Sequence, residues 1–312
     1  MTSPDIEAAE QFLAASARVL ERRRFERMFR GGDAGPVRDA VAAYRNPDGG
    51  FGHALEPDGR CPDSQPLAID FALRVLLEAG AWDTALADGA CAWLAAHAPA
   101  GGGAVFVEPS IEGWPHAPWL VPVKGDGEAG GGPAAPICTG LLAGTLHAAA
   151  AVKGDSEEGM GRRAGGGGAA HPWLSQATEL LWSRIDALAD VGPYDMRALF
   201  WFLDNVPDRD RARAAMEKIG PMIFDGGMVA LDPETPGEVH YPLDFAPLPG
   251  SLARSLFDQQ VIDAGLDHLA TAQQPDGGWT FNWMAWSPAA EREWRGHKTV
   301  EALHILQAHG RA

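Results

Sequence analysis

The feature that most constrains this chain is a corner written twice. "RNPDGGF" occupies 45–51 and "QQPDGGW" occupies 273–279, and the glycine pair recurs as Gly101-Gly102-Gly103-Ala104 and Asp225-Gly226-Gly227-Met228. A helix that reverses tightly needs a residue tolerant of positive φ at its end, which glycine supplies without a Cβ clash. An Asp before it can hydrogen-bond the turn backbone, while Phe51 or Trp279 can fold back on the helix pair. After three of the pairs a short apolar stretch ends in an acid and a proline, Glu56-Pro57, Glu108-Pro109 and Asp232-Pro233, and after the fourth in Ser287-Pro288. The unit reads as helix, Gly-Gly turn, extended lip, X-Pro corner, helix. Neighbouring pairs at either end of the chain lie about fifty residues apart, the length of one helical hairpin with its loops.

Between the corners, apolar residues recur with a period near 3.6 through 5–30, 36–45, 64–80, 82–97, 136–152, 172–190, 194–205, 208–220, 257–273 and 297–309. Almost nothing long alternates with period two, so the chain is all-α. Ser64 and Pro66 open one run, Pro207-Asp208 separates two others, and Gly80 and Gly310 follow last turns. Gly125 to Gly132 and Gly165 to Gly168 read as loops within Gly-rich insertions near 124–133 and 153–170. Neither has the strand and helix context of a phosphate-binding loop.

A net charge of −17 argues against nucleic acid, whose phosphates need a clustered positive surface. The basic run Arg22 to Arg30 interleaves Phe25, Met28 and Phe29 at helical spacing, as a solvated face on a packed helix would. No stretch reaches the roughly 18 apolar residues of a transmembrane helix, and the start has no basic region followed by an apolar one. A cytoplasmic protein without a transmembrane segment is expected. Cys61, Cys91 and Cys138 are odd in number and widely spaced, which fits free thiols better than disulfides or a closed zinc site.

The stretch "AGLDHLATAQQPDGGW" (264–279) resembles the Gln-Trp repeat of triterpene cyclases, with Gly265, Leu269, Gln273, Gly277 and Trp279 in its pattern. Ala264 and His268 stand where a basic and an aromatic residue are usual. Weaker relatives lie at 37–51, where Arg45 replaces Gln, and around Trp93-Leu94. The resemblance implies the (α/α) toroid or barrel shared by terpenoid cyclases and protein prenyltransferase β subunits. Here that would be one domain over 1–312, with five to six helical hairpins and long loops at one mouth. It implies an isoprenoid or other apolar chain as substrate. The acid signatures of those enzymes are missing: the chain has no Asp-Asp pair and no Asp-x-Cys.

In a ring of hairpins the loops entering the inner helices meet at one mouth, where function collects. On those loops lie the acids Glu56, Asp58, Glu108, Asp232 and Asp244, the imidazoles His53, His116 and His240, and Tyr241, Trp114 and Trp119. Trp283 and Trp286 add aromatic faces after the last corner. Carbocation chemistry would need one acid made available by burial, aromatic faces and exclusion of water, and no cofactor. Glu56, Glu108 and Asp232 are candidate acids, or caps of the turns that follow them. Asp70 interrupts the apolar run "PLAIDFALRVLLEAG" and either faces the centre as an acid or pairs with Arg74 at i+4. His53, Glu56 and Asp58, joined by His116, His240 and Asp244, would alternatively suit a zinc or manganese ion. Two other classes stay open: a carbohydrate-active (α/α) barrel, with paired acids and Trp platforms, and a non-catalytic toroid that binds a lipid or a protein.

Overall fold

The computed structural model describes residues 3–123, 134–157, 171–189 and 191–312. The chain is all-α. Its first helices are α1 (Ile6–Ser16), α2 (Val19–Phe29), α3 (Gly35–Ala42), α4 (Pro66–Glu78), α5 (Thr84–Ala96) and α6 (Pro136–Glu157). There follow α7 (Pro172–Asp186), α8 (Pro193–Asn205), α9 (Arg209–Ile219), α10 (Pro242–Phe245), α11 (Gln259–Thr271) and α12 (Pro288–Ala308). Among the described residues there is no strand, only isolated bridges between Arg45 and Phe51 and between Gly59 and His116.

Proline opens α4, α7, α8 and α12, where its missing N–H costs nothing. The periodic run 5–30 is two helices, because Ala17 and Arg18 are extended and end the first one. α12 starts at Pro288 rather than near 297, with Ser287 accepting from the Ala290 N–H at 3.1 Å. Its polar first turns hide the start from a search for apolar residues. Gly125 to Gly132 and Gly165 to Gly168 lie outside the described residues, whereas α6 continues to Glu157, into the segment expected to be an insertion.

Contacts divide the chain into two compact units, one made of both chain ends (Met1–Val37 with Met216–Ala312) and one of the middle (Arg38–Ala215). In the middle unit α6 lies between α4 and α8, while α5 packs on α7 as a second layer. α6 and α8 approach closely because Gly140 and Gly144 face α8. A Cβ on Gly140 would sit 2.8 Å from the Ala198 carbonyl, and one on Gly144 would sit 2.6 Å from the Trp201 ring. In the terminal unit α12 packs on α1, α2 and α11. Glu21 and Arg24 of α2 are fully buried there, Glu21 paired with Arg18 at 2.7 Å and Arg24 3.0 Å from His297 Nδ1. A guanidinium only donates, so Nδ1 accepts and the His297 ring proton sits on Nε2.

The repeated heptapeptide builds the same turn in both units. Asn46 donates to the Gly50 carbonyl at 2.9 Å as Gln274 does to Gly278 at 2.8 Å, and Gly49 and Gly277 have φ of +94° and +91°. Asp48 and Asp276 each accept from the glycine two residues on, at 2.9 and 3.1 Å. These glycines also admit a neighbouring backbone: a Cβ on Gly49 would lie 2.8 Å from the Gly89 carbonyl of α5, and one on Gly277 would strike the Ala8 carbonyl of α1. The Gly101–Gly103 corner shares a further detail, since the Ala104 N–H donates to Thr139 and the Trp279 N–H to Thr299, both at 3.0 Å. Gly226 and Gly227 have positive φ but open space at Cβ, so their corner is a turn and not a close contact. The Gln-Trp residues act as fasteners. Gln273 accepts from the Asp5 N–H and donates to the Asp5 and Gly277 carbonyls, each at 2.8 Å, while Trp279 Nε1 donates to Leu269 O at 2.8 Å.

One histidine of the middle unit sets an acid limit on stability. Thr178 donates its hydroxyl proton to Leu174 O at 2.7 Å, so His147 Nε2, 2.9 Å from that hydroxyl, must be the donor. Burial lowers the His147 pKa from 6.5 to about 4. Because the folded pKa lies below the unfolded one, the unfolded chain binds the extra proton. The stability is complete above about pH 6.5 and is lost as pH falls towards about 4. Urea unfolding across this range should show wild type losing roughly 2–3 kcal/mol more than His147→Gln, at 1.36 kcal/mol per unit less screening. Equal losses in the two proteins would refute the assignment.

Candidate functional site

The middle unit gathers its candidate residues around the start of α6. Asp70 projects from α4 and is 2% exposed. Arg74 one turn on donates from Nε to Asp70 Oδ2 at 3.1 Å, so the i+4 pair is present. Asp70 Oδ1 is buried and has no hydrogen-bond partner. Burial pushes the Asp70 pKa up, against the pull of Arg74. Cys138, on the first turn of α6, donates from Sγ to Phe106 O at 3.5 Å, and its thiol pKa is well above the usual value. Burial is the main cause, and the charges of Asp70, Asp195 and Glu56 add to it. Asp70, Asp195 and Glu56 thus all lie within electrostatic reach of Cys138. Asp195 of α8 accepts from the Ile137 N–H at 2.8 Å, and burial raises its pKa too.

Cys138 and Asp195 were missed by sequence reasoning. Each lies on the first turn of a proline-started helix ("PIC", "PYD"), a position that alone reads as capping.

The lip between Gly52 and Cys61 carries the next group. His53 and Ala54 both have positive φ, 56° and 62°, a strained state for side-chain-bearing residues. His53 is exposed, with Nε2 2.8 Å from Asn46 Oδ1. Glu56 accepts from the Asp58 N–H at 3.0 Å, and buried Asp58 accepts from Trp119 Nε1 at 3.0 Å. The bridge from Gly59 to His116 and the bond from Ala117 N to Asp58 O at 2.7 Å rivet the 114–120 loop to the lip. His116 is half-buried, with Nδ1 2.6 Å from Trp114 O. Trp114 and Trp119 remain 46% and 38% exposed, so they face solvent and not a cavity. Under the lip lies a cavity of about 20 Å³ lined by Leu55, Leu67, Val107 and Ile111, with Glu56 and Gln65 as its polar members. That volume holds one water. Gln65 was missed in the sequence as well; it accepts from the Glu108 N–H at 2.8 Å and donates to Ser110 at 3.0 Å. The Glu108 side chain makes no cap bond to the turn it precedes, and burial raises its pKa.

In the terminal unit the candidates mostly shape turns. Asp232 is exposed and accepts from the Glu234 N–H at 3.0 Å, and Asp244, on the first turn of α10, accepts from the Tyr241 N–H at 2.8 Å. Tyr241 donates to Thr235 O at 2.8 Å, and His240 is buried with its ring edge-on to Phe245. Trp283 lies 4.5 Å from Phe281 and 5.4 Å from Trp294 between ring centroids, and Trp286 is half-buried. Among the described residues no three His, Cys, Asp or Glu side chains converge as a metal site. No helix among them is long and apolar enough to cross a membrane.

No protein-family profile matches the chain, and no curated protein does. A solved protein from Actinoplanes is similar in structure, with a TM-score of 0.54 and 17% identity over 98% of this chain and 89% of its own. At that identity the likeness is one of fold alone.

Proposed function

We propose that this is a terpenoid-cyclase-like protein in which Asp70 is the general acid toward an isoprenoid or related apolar chain. The observation that carries the reading is the state of Asp70: buried, with Oδ1 unpartnered and its pKa raised by desolvation. Desolvation that favours the protonated form makes this carboxyl a proton donor, and the charges of Glu56 and Asp195, which act on nearby Cys138, would favour a cation there. Glu108 is the reserve acid, with its own raised pKa. Glu56 and Asp232 spend a carboxylate oxygen on a turn. The three buried, unpaired cysteines support a reducing, cytoplasmic setting.

The test is incubation with isoprenoid diphosphates and squalene, with and without chelator, followed by mass spectrometry of products. Asp70→Asn should lower turnover by about 10² to 10⁴, the worth of a positioned acid. Turnover undiminished in Asp70→Asn would remove it from the chemistry. One observation favours a second reading, a non-catalytic protein: the cavity beneath the lip has room for one water and not for a substrate chain. Neither product nor binding across the panel would select it.

A further inference from the structure

Arg74 directs both of its contacts with Asp70 to a single oxygen. Nε donates to Oδ2 at 3.1 Å and Nη2 lies 2.9 Å from the same atom, while Oδ1 has no partner. A guanidinium fork commonly spreads over a carboxylate, one nitrogen to each oxygen. Here it does not. The N–H that Nε donates to Oδ2, with cationic Nη2 beside the same atom, disfavours a proton there, since an O–H would point at the guanidinium.

The geometry points to Arg74 as the positioning residue of Asp70: it confines the carboxyl proton to Oδ1, the buried oxygen that nothing else occupies. This rests on the reading of Asp70 as an acid. In the transfer the Oδ1–H bond breaks and its electron pair stays on the carboxylate. The π pair of the substrate forms the new C–H bond, and the positive charge passes to the adjacent carbon. Arg74 then faces the carboxylate so formed, and an adjacent opposite charge favours that form. Arg74 thus decides which oxygen delivers the proton and stabilises what remains.

Infrared difference spectra between each protein and its Asp70→Asn counterpart would isolate the carboxyl C=O band of Asp70 during a pH titration. With the proton on Oδ1 the carbonyl is C=Oδ2, weakened by the N–H of Arg74 Nε and the guanidinium charge beside it, so its band should lie low in wild type. It should move up in Arg74→Met and part of the way in Arg74→Lys, which also serves if Arg74→Met does not fold. An Arg74 that merely supported the fold would leave the band where it was, and that result would overturn the positioning role. Turnover lost in Asp70→Asn together with an unmoved band in Arg74→Met would keep the acid and discard the positioning. A wild-type Asp70 that shows only carboxylate bands at neutral pH would overturn both.

Discussion

Gly277→Ala is expected to destabilise the protein by about 3–5 kcal/mol, adding a left-handed φ to an overpacked contact. Gly277 has a φ of +91°, and its missing Cβ is the space taken by the Ala8 carbonyl of α1. Backbone cannot rotate away as a side chain can, so α1 must shift. The same shift would strain the bonds from Gln273 to Asp5, which hold the start of α1 to the end of α11. Gly226→Ala is the matched control: its φ is +63°, but nothing lies within 4 Å of its Cβ position, so about 1 kcal/mol is expected. Urea unfolding of both variants reads the difference. Equal losses would mean that the close approach of α1 contributes nothing.

Trp279→Ala should cost about 3–5 kcal/mol, as large-to-small changes in a core do. Trp279 is 2% exposed, and truncation leaves the Leu269 carbonyl without its indole donor. Trp119→Ala should cost less, about 1–2 kcal/mol, since its ring is already 38% exposed and the main loss is the donor to buried Asp58. Should the two variants unfold at the same urea concentration, the staple role of the Gln-Trp residues would be wrong.

Much of the helix pattern was legible because periodicity and punctuation are local. Pro66 marks a start as expected, and the shared spacing of the two Asp-Gly-Gly corners forecast a shared turn, down to the Asp side chain on the glycine N–H. The candidate site was legible only in part. Asp70 stood out as an acid in an apolar run, and its pairing with Arg74 follows from helical spacing. Glu108 and Asp232 look alike in sequence, each an acid before a proline. Yet Glu108 has a raised pKa and no cap bond, while exposed Asp232 closes its own turn.

The sequence by itself determined that the chain is helical, where most helices begin, and that both ends carry the same Gly-Gly staple, because these follow from steric rules acting over a few residues. Only the tertiary structure decided that Asp70, Asp195 and Glu56 all act on Cys138, that Trp114 and Trp119 face solvent, and that the lip cavity has room for one water. Desolvation and close approach depend on residues far apart in the chain, and a one-dimensional pattern contains no distances.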